Sequence, residues 1–201
     1  MNHLAHALLA APDADWMFGS LIADFLRGRV DPALAPGVRA GIALHRAVDA
    51  FTDAHAEVAA ARALFAPPYR RYAGILLDVW FDHLLARDWQ RHVGTPSLAA
   101  FSRTVRDLLA ARAAERPPRM AGFAAYLEAN GLPERYREPA KIDAVLHGLG
   151  RRLSRANPVA GALPVLQALA APLQRHFEAF LPDLAAHAAR ERARLAIGPP
   201  G

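Results

Sequence analysis

Two carboxylates and a histidine lie inside an almost uniformly apolar segment of this chain. The segment YAGILLDVWFDHLLA, residues 72–86, carries Asp78, Asp82 and His83. A helix that is apolar nearly all round is typical of a buried central helix, and a spacing of four places both carboxylates on one face. Burying two ionised carboxylates without partners costs several kcal/mol or more. The sequence therefore predicts a cation beside this helix, supplied either by arginines or by a metal.

Two other apolar segments carry similar groups. Asp24 is the single charge in WMFGSLIADFL, and His45, Asp49 and Asp53 follow at i, i+4 and i+8 in a helix predicted over residues 38–54. Carboxylate and imidazole ligands without sulfur suit Mn²⁺, Mg²⁺ or Fe²⁺, and the excess of carboxylates makes zinc less favoured. A divalent ion would explain why the carboxylates are tolerated, and it would activate water for hydrolysis.

Each of these residues has a simpler interpretation when it is taken alone. An isolated Asp24 or Asp49 is more often a structural ion-pair partner, for example of Arg27 or Arg46, and an isolated His45 is usually a hydrogen-bonded core or surface residue. The set as a whole favours a metal, because carboxylates one turn apart repel each other unless a cation lies between them. Spacing alone does not identify the ligands.

The elements that position these groups are predicted to be helices. Alanine, leucine and arginine dominate the chain, and runs of strand-forming residues are scarce, which favours an all-α fold. Asp15 is the predicted N-cap of the second helix, and the last helix is predicted to be interrupted around Pro172 and Pro182. Helices are predicted near residues 2–10, 16–26, 38–54, 56–65, 72–92, 97–114, 119–129, 134–153 and 160–195.

We expect one helical domain over residues 1–201, with a metal-site half at about 1–92 and a helical cover at about 97–195. His3 and His6 lie on roughly one side of the first helix, and their types fit a role in the site and a role in helix packing equally well. The chain lacks cysteine, which excludes disulfides, thiolate metal sites and thiol nucleophiles.

The charge pattern favours an anionic partner. The formal net charge is +5, and Lys141 is the only lysine, so arginine supplies nearly all of the positive charge. Nucleic acid, a phosphorylated molecule or an acidic protein would each suit such a surface. A GC-rich genome, which favours arginine codons over lysine codons, is the alternative explanation of the arginine content. No signal-peptide pattern and no uncharged run of roughly 18 to 20 residues is present, so we expect no membrane span.

Four motifs in the first half resemble the acyl carrier protein phosphodiesterase family. They are MNHLAH at 1–6, GSLIADFLRG at 19–28, GIALHRAVDAFTD at 41–53 and LDVWFDHLLARDW at 77–89. Their order and spacing agree with the family, and four motifs in register are specific where any one would not be. The resemblance is strong over residues 1–92 and thinner beyond, where Tyr136, Gly148, Arg151 and residues 177–182 carry it.

This resemblance implies a fold, an activity and a partner. The family is an all-helical, divergent relative of the HD-domain phosphohydrolases, so we expect a compact multi-helix, HD-domain-like bundle. Its members remove phosphopantetheine from holo acyl carrier protein, giving the apo protein and pantetheine phosphate, with a divalent metal that is typically manganese. The resemblance also implies a bacterial, cytoplasmic setting. Carrier proteins are small and acidic, which fits an arginine-rich surface. Asp82 and His83 stand in the reverse order of an HD dipeptide, so ligand positions are not copied from the larger superfamily.

The five site residues that the resemblance implies lie within the matching motifs, whereas the individual roles, including those of Arg46 and His83, are inferred from the chemistry of the side chains. Asp24 could orient the attacking water or act as general base, Arg46 could hold the phosphate oxygens, and His83 is a further catalytic candidate beside the central carboxylates. The expected metal ligands are Asp24, His45, Asp49, Asp78 and Asp82.

Two other functions remain in competition with this one. The first is a metal phosphohydrolase that acts on a nucleotide or another small phosphoester. The second is a non-catalytic, arginine-rich helical module that binds an anionic partner. Carboxylates inside apolar helices argue against the second, because a binding surface gives no reason to place them there. We expect a carrier-protein partner and no nucleic acid.

Overall fold

Helices make up nearly all of the regular structure. The computed structural model describes residues 3–197, and no strand occurs between these two residues. The predicted all-α class is therefore confirmed. The helices are α1 (His3–Ala10), α2 (Ala14–Ile22), α3 (Pro36–Ala54), α4 (Ala56–Ala63), α5 (Ala73–Arg87), α6 (Trp89–His92), α7 (Leu98–Ala111), α8 (Ala121–Asn130), α9 (Pro139–Arg152), α10 (Leu163–Ala168) and α11 (Ala170–Ile197).

Helix α2 starts earlier than predicted. Its N-cap is Asp13, whose side chain accepts a hydrogen bond from the backbone N–H of Trp16 at 3.0 Å. The prediction of Asp15 as the cap is wrong, because Asp15 already lies in the first turn of the helix. Beyond Ile22 the chain tightens into a 3₁₀ turn, Ala23–Phe25, which carries Asp24. The carboxylate thus stands at the end of α2, not within it.

Two later boundaries also differ from prediction. The central helix ends at Arg87, and Asp88 separates it from the short α6, so the predicted continuation to His92 is wrong. Helix α11 runs without interruption through Pro182. A proline inside a helix costs about 3 kcal/mol, but Phe180 and Leu184 are both fully buried on either side of it. Tertiary packing on both sides therefore offsets the local defect.

Helix α5 is the centre of the core, as predicted. Eleven of its residues are buried, and it contacts α1 and α4 from the first half of the chain and α9 and α11 from the second. The ring of Phe81 lies 5.3 Å from that of Phe177 and 6.0 Å from that of Phe180. Both halves of the chain therefore pack on one helix. No helix in residues 3–197 has the combination of length and apolar character that a bilayer crossing requires.

Helices α2 and α3 approach each other backbone to backbone through two glycines. A Cβ atom on Gly19 would lie 2.1 Å from the carbonyl oxygen of Val38, and one on Gly41 would lie 2.1 Å from that of Trp16. Any side chain at either position would therefore force the helices apart. This close crossing sets the distance between the end of α2, with Asp24, and the middle of α3, with His45.

We expect Gly41→Ala to destabilise the protein by about 1–3 kcal/mol, because the added methyl group overlaps the backbone of Trp16. The free energy of unfolding in urea measures the effect. Gly122→Ala is the matched control, since nothing lies within 4 Å of a Cβ there and alanine favours a helix over glycine. Equal stability of Gly41→Ala and the wild type would contradict the close crossing.

Candidate active site

His45 lies between two carboxylates. Its Nε2 atom is 3.1 Å from Oδ1 of Asp24, which comes from the 3₁₀ turn after α2, and 3.0 Å from Oδ2 of Asp49, one turn further along α3. Within residues 3–197, neither aspartate forms an ion pair with an arginine, so the simpler interpretation of these residues does not describe them. The structure thus brings together three of the five predicted ligands.

His6 of α1 completes the group from the other side. Its ring stacks on that of His45 with centroids 3.8 Å apart, and its Nε2 atom lies 3.1 Å from Oδ1 of Asp49. Neither ring nitrogen of His6 makes a hydrogen bond of normal geometry within the part of the chain that the structure describes. A buried imidazole in that state is costly unless something else binds it. We call His6, Asp24, His45 and Asp49 the His45 cluster.

The charges of the His45 cluster are strongly coupled. Burial opposes the charge on His45, but the hydrogen bonds and charges of Asp24 and Asp49 outweigh it and raise the pKa of His45 to about 9. Burial likewise opposes the charge on Asp49, yet its contacts with His45 and His6 lower its pKa. The hydrogen bond from His45 also lowers the pKa of Asp24. At neutral pH the cluster therefore holds two carboxylates around one imidazolium.

The cluster is closed on its histidine side and open on its aspartate side. The side chains of His6 and His45 are only 2% and 4% exposed, whereas those of Asp49 and Asp24 are 43% and 52% exposed. Donor atoms of His6, His45 and Asp49 all lie within 4.8 Å of one another, which is a spacing that one metal ion can span. Imidazole and carboxylate donors together suit a first-row divalent ion.

Asp82 has a different environment from the His45 cluster. It is buried, at 1% exposure, and its carboxylate accepts hydrogen bonds from the backbone N–H groups of Leu4 at 2.8 Å and Ala5 at 3.3 Å. The N–H groups in the first turn of a helix have no acceptor within the helix, and the helix dipole is positive there, so Asp82 satisfies donors that α1 leaves open. Asp82 thus anchors the helix that carries His6. Its prediction as a metal ligand stays a prediction, and the geometry gives its burial another cause.

The remaining predicted residues also lie outside the group of closely spaced donors. Burial raises the pKa of Asp78, and the charge of Asp49 acts in the same direction.

His83 is buried on α5, where its Nδ1 donates to the carbonyl oxygen of Tyr136 at 2.7 Å. Arg46 is exposed and donates to the carbonyl oxygen of Gly28 at 3.1 Å, which holds the loop that follows Asp24. The roles assigned to Asp78, His83 and Arg46 stay predictions.

The sequence left His6 undecided between the site and helix packing, and the structure places it in the cluster. Its spacing from His3 put both on one side of α1, but no periodicity says which helix that side will face. Its partner Asp49 is 43 positions further along the chain. Only the packing of α1 on α3 brings them together.

A cavity of about 230 Å³ adjoins this region. His3 reaches it from α1, and the rest of its wall comes from the second half of the chain. Its lining residues are His3, Phe123, Tyr126, Tyr136, Val145, Gly148, Leu149, Arg151 and Arg152.

We expect Asp82→Ala to lower the free energy of unfolding by about 3 kcal/mol, because it leaves buried N–H groups of α1 without an acceptor. Amide hydrogen exchange at Leu4 and Ala5 should accelerate in the same variant. Asp107→Ala, on the exposed face of α7, is the control and should change stability by less than about 0.5 kcal/mol. Unchanged exchange at Leu4 would contradict the anchoring role.

The stability of the metal-free protein should fall in mild acid. Burial lowers the pKa of His6 from 6.5 to about 4, so between these values the unfolded chain binds a proton that the folded chain does not. Stability therefore decreases as pH falls through this window, by about 3 kcal/mol at most for this residue. Urea unfolding of chelator-treated protein at pH values across the window measures it. Burial also lowers the pKa of His3 to about 4, so His6→Asn should make the fall shallower without abolishing it, and an equally steep fall in that variant would refute the assignment.

Comparison with known proteins agrees with the sequence motifs. The family model for acyl carrier protein phosphodiesterase matches residues 1–184. Proteins named acyl carrier protein phosphodiesterase from Serratia proteamaculans and Escherichia coli O157:H7 are each 36% identical to this chain, over 184 and 191 residues. These alignments cover 92% and 95% of this chain and 95% and 99% of the relatives. No solved structure matches, so the relationship to the HD domain stays a prediction. The chain belongs to the acyl carrier protein phosphodiesterase family.

Proposed function

We propose that this protein is a metal-dependent hydrolase that removes phosphopantetheine from holo acyl carrier protein, giving apo carrier protein and pantetheine phosphate. Family membership supports the reaction and the substrate. The single observation that carries the metal proposal is the convergence on the Nε2 atom of His45 of two carboxylates at 3.0 and 3.1 Å. The bacterial cytoplasm, where such carrier proteins are made, is the proposed location.

The residues present fit a divalent cation. His6, His45 and Asp49 would hold it, and Asp24 stands close enough to His45 to be a fourth ligand or to face the bound water. A cation there would replace the proton between His45 and the aspartates and would bind the ring of His6, whose nitrogens make no hydrogen bond of normal geometry within residues 3–197. Mn²⁺ is the proposed ion, with Fe²⁺ or Mg²⁺ as alternatives. Such an ion, when bound, neutralises phosphoryl charge and lowers the pKa of a water molecule.

The protein's own residues then orient the reaction. The phosphodiester joins pantetheine to a serine oxygen of the carrier protein. A water oxygen bonds to phosphorus, the bond from phosphorus to that serine oxygen breaks, and the proton that the water gives up is balanced by the proton that the serine oxygen takes. Asp24 is ionised at neutral pH because the hydrogen bond from His45 lowers its pKa, so it can accept a hydrogen bond from the attacking water. The exposed aspartate side of the cluster leaves room for a substrate as large as a protein.

Exposed arginines lie close in the sequence to the two aspartates of that open side. Arg27 and Arg29 lie in the loop that follows Asp24, Arg39 lies at the start of α3, and Arg46 ties the loop to α3. An acidic carrier protein would be attracted to such a surface and oriented on it. This supports a protein substrate over a small phosphoester, although hydrolysis of a nucleotide remains the competing activity. A purely binding role would not explain why two histidines and two carboxylates are grouped in the His45 cluster.

We expect Asp49→Ala to lose bound Mn²⁺ and to reduce release of pantetheine phosphate from holo carrier protein by at least about 100-fold, because it removes a proposed metal ligand that also contacts both histidines. Elemental analysis gives the metal content, and the mass shift of the carrier protein gives the activity. Asp53→Ala is the matched control: it lies one turn further along α3 and pairs with Arg62 at 2.5 Å.

Two outcomes would overturn the proposal. If Asp49→Ala kept both metal and activity, the metal site would be misplaced. If the wild-type protein with Mn²⁺ hydrolysed members of a nucleotide panel and left holo carrier protein intact, the small-phosphoester function would replace the carrier-protein function.

A further inference from the structure

An aromatic wall connects the His45 cluster to the cavity beyond α1. His3 lies three residues before His6, which is about 4.5 Å along the helix axis. Its ring is 4.2 Å from that of Phe123 and is stacked on that of Phe25 at 6.2 Å. Phe25 follows Asp24 directly and lies 5.4 Å from Phe123. The three rings thus lead from the exposed edge of the cluster to the cavity.

The cavity wall combines apolar faces with hydrogen-bond donors. Phe123 and Tyr126 of α8 and Val145 and Leu149 of α9 supply aromatic and aliphatic surface. The exposed Arg151 and Arg152, in the last turn of α9, add two guanidinium groups at the edge. Such a mixture suits a ligand that alternates apolar and hydrogen-bond-accepting segments, and it suits a simple hydrocarbon or a bare phosphate less well.

The pantetheine group has this alternation of apolar and hydrogen-bonding segments. Its phosphate is followed by a carbon with two methyl groups, then by a hydroxyl, two amides separated by methylenes, and a thiol. With the phosphate at the His45 cluster, the dimethyl carbon would meet the rings of His3 and Phe25. The amide carbonyls would then lie within the cavity, where guanidinium groups can donate to them.

We propose that this cavity binds the pantetheine arm of holo carrier protein while its phosphodiester lies at the His45 cluster. This inference rests on the proposed function and adds to it the role of the second half of the chain. Tyr136, Gly148 and Arg151 carry the family resemblance in that half, and all three line the cavity. The arm-binding cavity distinguishes the substrate from a nucleotide, which carries a sugar and a base in place of the arm.

Gly148 offers a direct test. It lies between the two ends of α9 and lines the cavity, and no atom lies within 4 Å of a Cβ placed on it. Gly148→Leu should therefore fold, since leucine also favours a helix over glycine, while its side chain occupies space meant for the arm. With Mn²⁺ bound, we expect KM for holo carrier protein and the inhibition constant of pantetheine phosphate each to rise about tenfold or more. Inorganic phosphate, which needs only the cluster, should inhibit as in the wild type.

Gly122→Leu is the matched control. Gly122 is helical, exposed and equally free of neighbours, and it does not line the cavity. Melting temperature and Mn²⁺ content are measured for both variants, and Arg151→Ala gives a second, milder change to the wall. If Gly148→Leu and Arg151→Ala both bind pantetheine phosphate as the wild type does, the cavity assignment is wrong and the proposed function stands. If the wild type releases no pantetheine phosphate from holo carrier protein, the proposed function fails and the cavity assignment falls with it.

Discussion

The buried carboxylate of Asp82 beneath the N-terminus of α1 is the contact on which the rest of the site depends. A carboxylate in a core is tolerated only when donors meet it, and here the donors are backbone N–H groups of Leu4 and Ala5. These donors are fixed in the helix, so the contact holds the N-terminal turn of α1 against α5. The same helix carries His6, which contacts Asp49 of α3, and His3, which lines the cavity.

The contact between Asp24 and His45 depends on the close approach of the α2 and α3 backbones. Gly19 and Gly41 let α2 and α3 touch, and a Cβ at either would approach a carbonyl oxygen to 2.1 Å. Asp24 at the end of α2 therefore reaches His45 in the middle of α3. The His45 cluster is thus assembled by two unrelated devices: a charged anchor under one helix and a close glycine crossing between two others. Neither contact involves a residue of the His45 cluster, so the cluster residues can be arranged for binding and not for stability.

The two halves of the chain have complementary roles around the central helix. The first half supplies every residue of the His45 cluster, and the second supplies most of the cavity wall through α8 and α9. His3 and Phe123 join the two regions, with ring centroids 4.2 Å apart. Helix α5 holds the halves together, because it packs against α1 on one side and α9 on another. A substrate with a phosphate and a long arm would use both halves at once.

The sequence by itself determined the helical class, the burial of α5, the family, and the apolar context that singles out Asp24, His45 and Asp49. The helical class, the burial of α5 and the apolar context depend on local composition and periodicity, which are properties of consecutive residues. The family was identified from the resemblance of four motifs. Spacing also put Asp78 and Asp82 on one turn of α5. It did not reveal that Asp82 faces backbone donors 77 and 78 positions earlier in the chain.

Only the tertiary structure decided which polar side chains meet. His6 joins the cluster, and His83 donates to the carbonyl oxygen of Tyr136. Pro182 stays inside a continuous helix, where Phe180 and Leu184 on either side of it are buried. Each outcome depends on how one helix is rotated against another. That rotation is set by contacts between residues far apart in the chain, and helical periodicity leaves it open.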